Sequence, residues 1–137
     1  KGAILAMQHT ILIVEDEPDT AAMFAEMMRL TGFRAINTYG GAAAMKMLGQ
    51  EHPDALVLDL MMPDISGLEV LRYIRRDPGL MKIPVIVVSA KSMPADVQGV
   101  LEAGATTYLT KPVSFLDLRL AVLQAIQGTS TTDSSIQ

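Results

Sequence analysis

Five short runs of aliphatic and β-branched residues, separated by stretches with helical periodicity, narrow the fold of this 137-residue chain more than any other feature. Ile11 to Val14 (ILIV), Ala55 to Leu58 (ALVL) and Val85 to Val88 (VIVV) are unbroken apolar runs, as strands covered on both faces require. Arg34 to Thr38 (RAINT) and Thr107 to Thr110 read as weaker strands. Pro18 stands at the first turn of a helix in which Ala21, Ala22, Phe24, Ala25 and Met28 keep helical spacing until Gly32. Gly41 to Leu48 is rich in strong helix formers, and Leu68 to Arg76 places Leu68, Leu71 and Ile74 on one face. A fourth helix is expected from about Pro94 to Ala103, ended by Gly104, and a fifth from the cap Ser114 through Ile126. Strands joined through helices need right-handed crossovers, so the expected class is α/β: a mainly parallel five-stranded sheet with helices on both faces.

Composition removes several functions. With 50% apolar residues the chain fills a core without a staple, and the absence of Cys excludes disulfides and thiolate chemistry and favours a cytoplasmic home. Eleven basic against fifteen acidic side chains, 4% aromatics and no Trp leave neither a basic stripe nor a stacking platform for nucleic acid. Every apolar run falls far short of the ~20 residues that span a bilayer, so no membrane segment is expected. One domain is expected at 7–127. Residues 1–6, too brief for a secretory signal, read as a non-native remnant or disordered N-terminus before Met7, and the Gly/Ser/Thr-rich 128–137 as a flexible tail or linker.

Ligands of such sheets bind beyond the carboxyl ends of the strands. The polar residues there are Glu15 and Asp16, then Asp59, Ser89 and Lys111. Each has a simple reading alone, as a helix cap, a strand-end hydroxyl or a solvated lysine. Together, three carboxylates, a cation and a hydroxyl on one rim point to chemistry. Clustered carboxylates repel, and a hard divalent cation relieves them; Mg2+ fits, with Mn2+ as a substitute. Asp16 and Asp59 are expected as direct ligands, Glu15 through water, and a strand-end carbonyl completes the set. Asp59 then serves as a nucleophile toward phosphorus, with Lys111 and Ser89 on the phosphoryl oxygens.

The segments ILIVEDEPD (11–19), LVLDLMMPDISGLEVL (56–71), VIVVSA (85–90) and YLTKPV (108–113) resemble the receiver domain of two-component response regulators, and the resemblance covers about Thr10 to Gln127. The intervals from Asp59 back to Asp16 (43), on to Ser89 (30) and on to Lys111 (22) are those the family leads one to expect. The resemblance implies a flavodoxin-like, doubly wound α/β/α sandwich with strand order 2-1-3-4-5. It implies Asp59 as phosphoacceptor, Glu15 and Asp16 as the acidic pair for Mg2+, and Met61 as donor of a backbone carbonyl to the metal. It further implies Ser89 and Lys111 as phosphoryl binders, Tyr108 with Ser89 as the switch, and a cis bond before Pro112 that helps aim Lys111. Implied partners are a sensor histidine kinase or histidine phosphotransfer protein and a downstream effector on the face of the fourth helix, fifth strand and fifth helix, with no nucleic acid or membrane. Such a protein catalyses its own phosphotransfer and slow dephosphorylation but is a signalling switch, not a turnover enzyme.

Thr106 and Thr107 stand where transcription-factor relatives carry acidic residues, so the expected state is a monomer or weak dimer. A hydrolase with an Asp nucleophile would need a carboxylate at Met61. The alternative is a phosphorylation-independent flavodoxin-like binding module; a flavin site is disfavoured by the acidic EDEPD loop.

Overall fold

Successive side chains of a strand point to opposite faces, and in this computed structural model, which describes residues 9–135 and side chains through residue 128, each strand feeds two cores. The elements are β1 (Thr10–Val14), α1 (Pro18–Thr31), β2 (Arg34–Thr38), α2 (Gly41–Glu51), β3 (Ala55–Asp59), α3 (Gly67–Arg76), β4 (Val85–Ser89), α4 (Pro94–Glu102), β5 (Thr107–Thr110) and α5 (Phe115–Ser135). Ile11, Ile13, Val57, Ile86 and Val88 pack with Phe24 and Met28 of α1 and Leu118 and Val122 of α5. Leu12, Val14, Leu56, Leu58 and Val87 face Leu48 of α2, Leu71 and Ile74 of α3 and Val100 of α4. The sheet is parallel throughout, in the order β2-β1-β3-β4-β5. The three solid apolar runs form the interior strands, where every residue is buried; RAINT and TYLT form the edges.

Local chemistry sets the helix ends. Glu17 Oε1 accepts from Thr20 N at 2.7 Å at the start of α1, Pro18 supplies the first turn, and Gly32 ends the helix with φ 104°. Ser66 and Ser114 cap α3 and α5 by accepting from the amides of Glu69 (3.2 Å) and Asp117 (3.0 Å). Helix α2 lacks a side-chain cap of its own; Asp64, from the loop after β3, instead accepts from Gly41 N and Ala42 N, each at 3.1 Å. Helix α2 runs past Leu48 to Glu51, and α5 runs past Ile126 to Ser135. At Gly128 the chain makes no left-handed turn and no Pro follows, so nothing local stops the helix. The expected remnant or disordered N-terminus at 1–6 lies outside the described residues, as do positions 136 and 137 of the expected tail.

Arg75 ties two loops together through three carbonyls. Its Nε donates to Gly104 O at 2.9 Å, and Nη1 donates to Met81 O at 3.0 Å and Ile83 O at 2.7 Å. Arg75→Ala leaves the half-buried carbonyls of Gly104 and Ile83, and the exposed one of Met81, without their charged donor and is expected to lower stability by about 2 kcal/mol in a denaturant melt. Arg75→Lys, a point charge without the fork, should recover less than half of that loss; wild-type stability in either variant would contradict the assignment.

Candidate functional site

The strand registers bring the five carboxyl-terminal ends to one rim: Val14 pairs with Thr38 and Leu58, Asp59 with Val88, and Ser89 with Thr110. The residues just past β1 and β5, together with the last residues of β3 and β4, therefore converge. Asp59 closes β3 and is only 4% exposed; Glu15 and Ser89 are buried as deeply, while Asp16 is half-buried. Carboxylate oxygens of Glu15, Asp16 and Asp59 lie within 4.8 Å of one another.

Lys111 reaches into this cluster from the end of β5. Its Nζ stands 2.8 Å from Glu15 Oε1 and 3.6 Å from Asp59 Oδ1. Its backbone N–H donates to Ser89 O at 2.8 Å, and the Lys111–Pro112 peptide bond is cis. Glu15 Oε2 also accepts from Glu17 N at 3.1 Å, and Asp59 Oδ1 accepts from Met61 N at 3.3 Å. Among the described residues Asp16 has no hydrogen-bond or ion-pair partner. One ammonium thus pairs with two of the three carboxylates and, among the described residues, leaves Asp16 without a cation. Burial, and then the negative charge of Glu15, push Asp59 up to about 6 although Lys111 pulls the other way. Burial draws Lys111 down, but its hydrogen bond to Glu15 and the charges of Asp59 and Glu15 outweigh it and leave the amine raised.

Ser89 and Tyr108 meet at a single residue. Ser89 Oγ accepts from Lys91 N at 3.2 Å, and Tyr108 Oη donates to Lys91 O at 2.6 Å, so the strand-end hydroxyl and the half-buried aromatic are linked through Lys91. The Met61 side chain points outward and is 58% exposed, leaving its backbone as the part nearest the cluster.

Two contributors escaped the sequence reading. Glu17 caps α1 beside the acidic pair, and its side-chain oxygen, bonded by the Thr20 amide, is held below the usual carboxylate range. Gly67 starts α3 directly under the end of β3: a Cβ there would overlap the Asp59 carbonyl oxygen and stand 2.7 Å from Leu60 Cα. Its N–H donates to Leu60 O at 2.9 Å. The only signal was a Ser-Gly pair ahead of an amphipathic helix, which reads equally well as an ordinary cap.

The sequence profile of the response regulator receiver domain matches residues 11–123. The polar-differentiation response regulator DivK of Brucella ovis is 33% identical over 108 residues, which is 79% of this chain and 88% of that protein. Among solved structures, the signal receiver domain of a signal transduction histidine kinase from Syntrophus aciditrophicus superposes with a TM-score of 0.82 at 33% identity, covering 88% of this chain and 91% of that one. The receiver domain of sensor histidine kinase PA1611 from Pseudomonas aeruginosa PAO1, with a magnesium ion coordinated in its active-site cleft, superposes with a TM-score of 0.80 at 28% identity, covering 87% and 98% of the two chains.

Proposed function

The chain belongs to the response regulator receiver domain family of two-component signalling proteins, and from that premise we propose that Asp59 accepts a phosphoryl group from a sensor histidine kinase or histidine phosphotransfer protein. The observation that carries this reading is the buried convergence of Asp59, Glu15, Asp16 and Lys111 on one rim. An Asp59 carboxylate oxygen attacks phosphorus in line, forming an acyl phosphate. The bond from phosphorus to the donor nitrogen breaks, and the departing imidazole retains the electron pair and takes up a proton. Lys111 is close enough to Asp59 to pair with a phosphoryl oxygen, and Ser89 holds a hydroxyl at the end of the neighbouring strand for another.

Magnesium fits the donors: three carboxylates within 4.8 Å are all hard oxygen ligands, and among the described residues no His or Cys joins the cluster. Asp16, Asp59 and the Met61 carbonyl would hold it, with Glu15 acting through water; Mn2+ meets the same donors. When bound, the ion neutralises charge on the transferred group. The relative with magnesium in its cleft supports this assignment.

The switch follows from Lys91. Once Ser89 Oγ turns toward the phosphoryl group, its bond to the Lys91 amide is given up, the loop after β4 moves, and Tyr108 follows into the vacated space. The remodelled face of α4, β5 and α5 then meets the downstream effector; Met93, Leu101, Leu116 and Leu120 are exposed beside it. Among the described residues no helix is long and apolar enough to cross a membrane; a cytoplasmic signalling role belongs to the same reading.

The test is to treat the protein with acetyl phosphate and Mg2+ and weigh it. A gain of one phosphoryl group is expected, whereas an unchanged mass would favour a phosphorylation-independent binding module. The lifetime of that group is a second expected result. Met61 and Lys91 flank Asp59 and Ser89 without offering a carboxylate or amide to orient attacking water, so they forgo the roughly 10²- to 10⁴-fold help of a general base. Decay after donor removal should take on the order of minutes or longer; a lifetime of seconds would refute this assignment.

A further inference from the structure

A crevice of about 350 Å3 lies between α3 and α4; it borders the phosphoryl site at Met61 and Lys91, while its apolar interior takes no part in that chemistry. Its floor is apolar: Leu60 and Val100 are buried and Leu68 is half-buried. On the α4 wall, Ala95 and Gly99 lie one helical turn apart, so no long side chain fills the gap; a Cβ at Gly99 would meet nothing within 4 Å. Two cations stand at the rim, Arg72 from α3 and Lys91 from the loop after β4. Both are exposed, and among the described residues neither has a carboxylate within 4.0 Å. The one carboxylate of the lining, Asp96, sits in the first turn of α4, where the helix N-terminus already offsets its charge.

An apolar slot roofed by two unpaired cations selects a ligand with an alkyl body and a negative head. We infer that this crevice binds a small amphiphilic carboxylate, its chain on Leu60, Leu68 and Val100 and its head held by Arg72 and Lys91. Arg72 suits the role because its planar fork matches the two oxygens of a carboxylate. The size of the slot matches small-molecule sites in general, whose volumes start near 300 Å3. Binding requires no phosphorylation, so it can be examined independently of Asp59.

Titration of the unphosphorylated protein with sodium decanoate below its micelle threshold, followed by backbone amide chemical shifts, is expected to show saturable changes over residues 66–72 and 91–100. Gly99→Phe fills the slot and should weaken binding about tenfold or more, while Gly99→Ala, which leaves the volume open and favours the helix, should stay within about threefold of wild type. Arg72→Glu should also weaken it about tenfold, and decyltrimethylammonium, with the same chain and the opposite charge, should bind at least about tenfold more weakly than decanoate. Shifts that never saturate, shifts centred on Leu116 and Leu120 of α5, equal binding of the cation, or undiminished binding in a folded Gly99→Phe protein would each overturn the inference.

Discussion

Asp59→Asn is expected to abolish phosphoryl incorporation from acetyl phosphate completely and, in magnesium-free buffer at neutral pH, to make the protein more stable by about 1–2 kcal/mol. The first effect follows because the amide lacks a nucleophilic oxygen anion. The second follows from charge. Burial and the neighbouring Glu15 carboxylate hold Asp59 at about 6 against an ordinary value of 3.8, so the folded chain keeps this proton more tightly than the unfolded chain does. The stability that comes with the protonated carboxyl is fully present below about pH 4 and is lost as the pH rises through about 6, after which the penalty is constant. Full linkage over that interval would give roughly 3 kcal/mol; the buried Asn amide carries a desolvation cost of its own, which reduces the gain to the smaller figure. Asn keeps an oxygen for the Met61 amide, and the 2.8 Å pair between Lys111 and Glu15 is untouched. Melting temperatures of wild type and variant should converge near pH 4 and separate toward pH 7. A variant that still gains a phosphoryl group, or one less stable than wild type at pH 7, would contradict the assignment of Asp59.

Gly67→Ala should cost more than about 3 kcal/mol, enough to drop the melting temperature by about 10 °C or to prevent folding. The added methyl has no free volume: it would overlap the Asp59 carbonyl oxygen and lie 2.7 Å from Leu60 Cα, backbone atoms at and just past the buried end of β3. Relief requires α3 to withdraw from the sheet, which would break the Gly67 N–H to Leu60 O bond and displace the Met61 to Ser66 loop that ends beside Asp59. Whatever folds should therefore also phosphorylate slowly. Gly99→Ala, where a Cβ meets nothing, serves as the matched control and should be neutral or slightly stabilising. Equal stability of the Gly67 and Gly99 variants would show that the close approach under β3 is softer than it looks.

Much of the architecture was legible because its signals are local. ILIV, ALVL and VIVV are solid apolar runs, and they lie where only an interior strand can, while RAINT and TYLT, with polar residues interspersed, form the edges. Pro18, Gly32, Gly104 and Ser114 punctuate helices at their own positions in the chain. Helix ends were less legible: α2 and α5 continue past the expected Leu48 and Ile126, because Gly49 and Gly128 keep φ negative and a single such Gly beside Gln and Glu does not compel a stop. Asp64 was missed because it caps a helix that begins 23 positions before it.

The order of residue types along the chain determined by itself that strands and helices alternate. A parallel sheet of that kind puts all its carboxyl-terminal ends on one edge, so the common rim for Glu15, Asp16, Asp59, Ser89 and Lys111 follows from topology before any distance is known. Only the tertiary structure decided how the charges are shared there: Lys111 lies nearer to Glu15 than to Asp59, across a separation of 96 positions. It also decided that Gly67 has no room for a methyl group and that α3 and α4 stand far enough apart to leave a slot. The physical reason is range. Periodicity and capping act over a turn or a strand, whereas ion pairing, close backbone approach and cavity shape depend on which distant segments the core brings within a few ångströms.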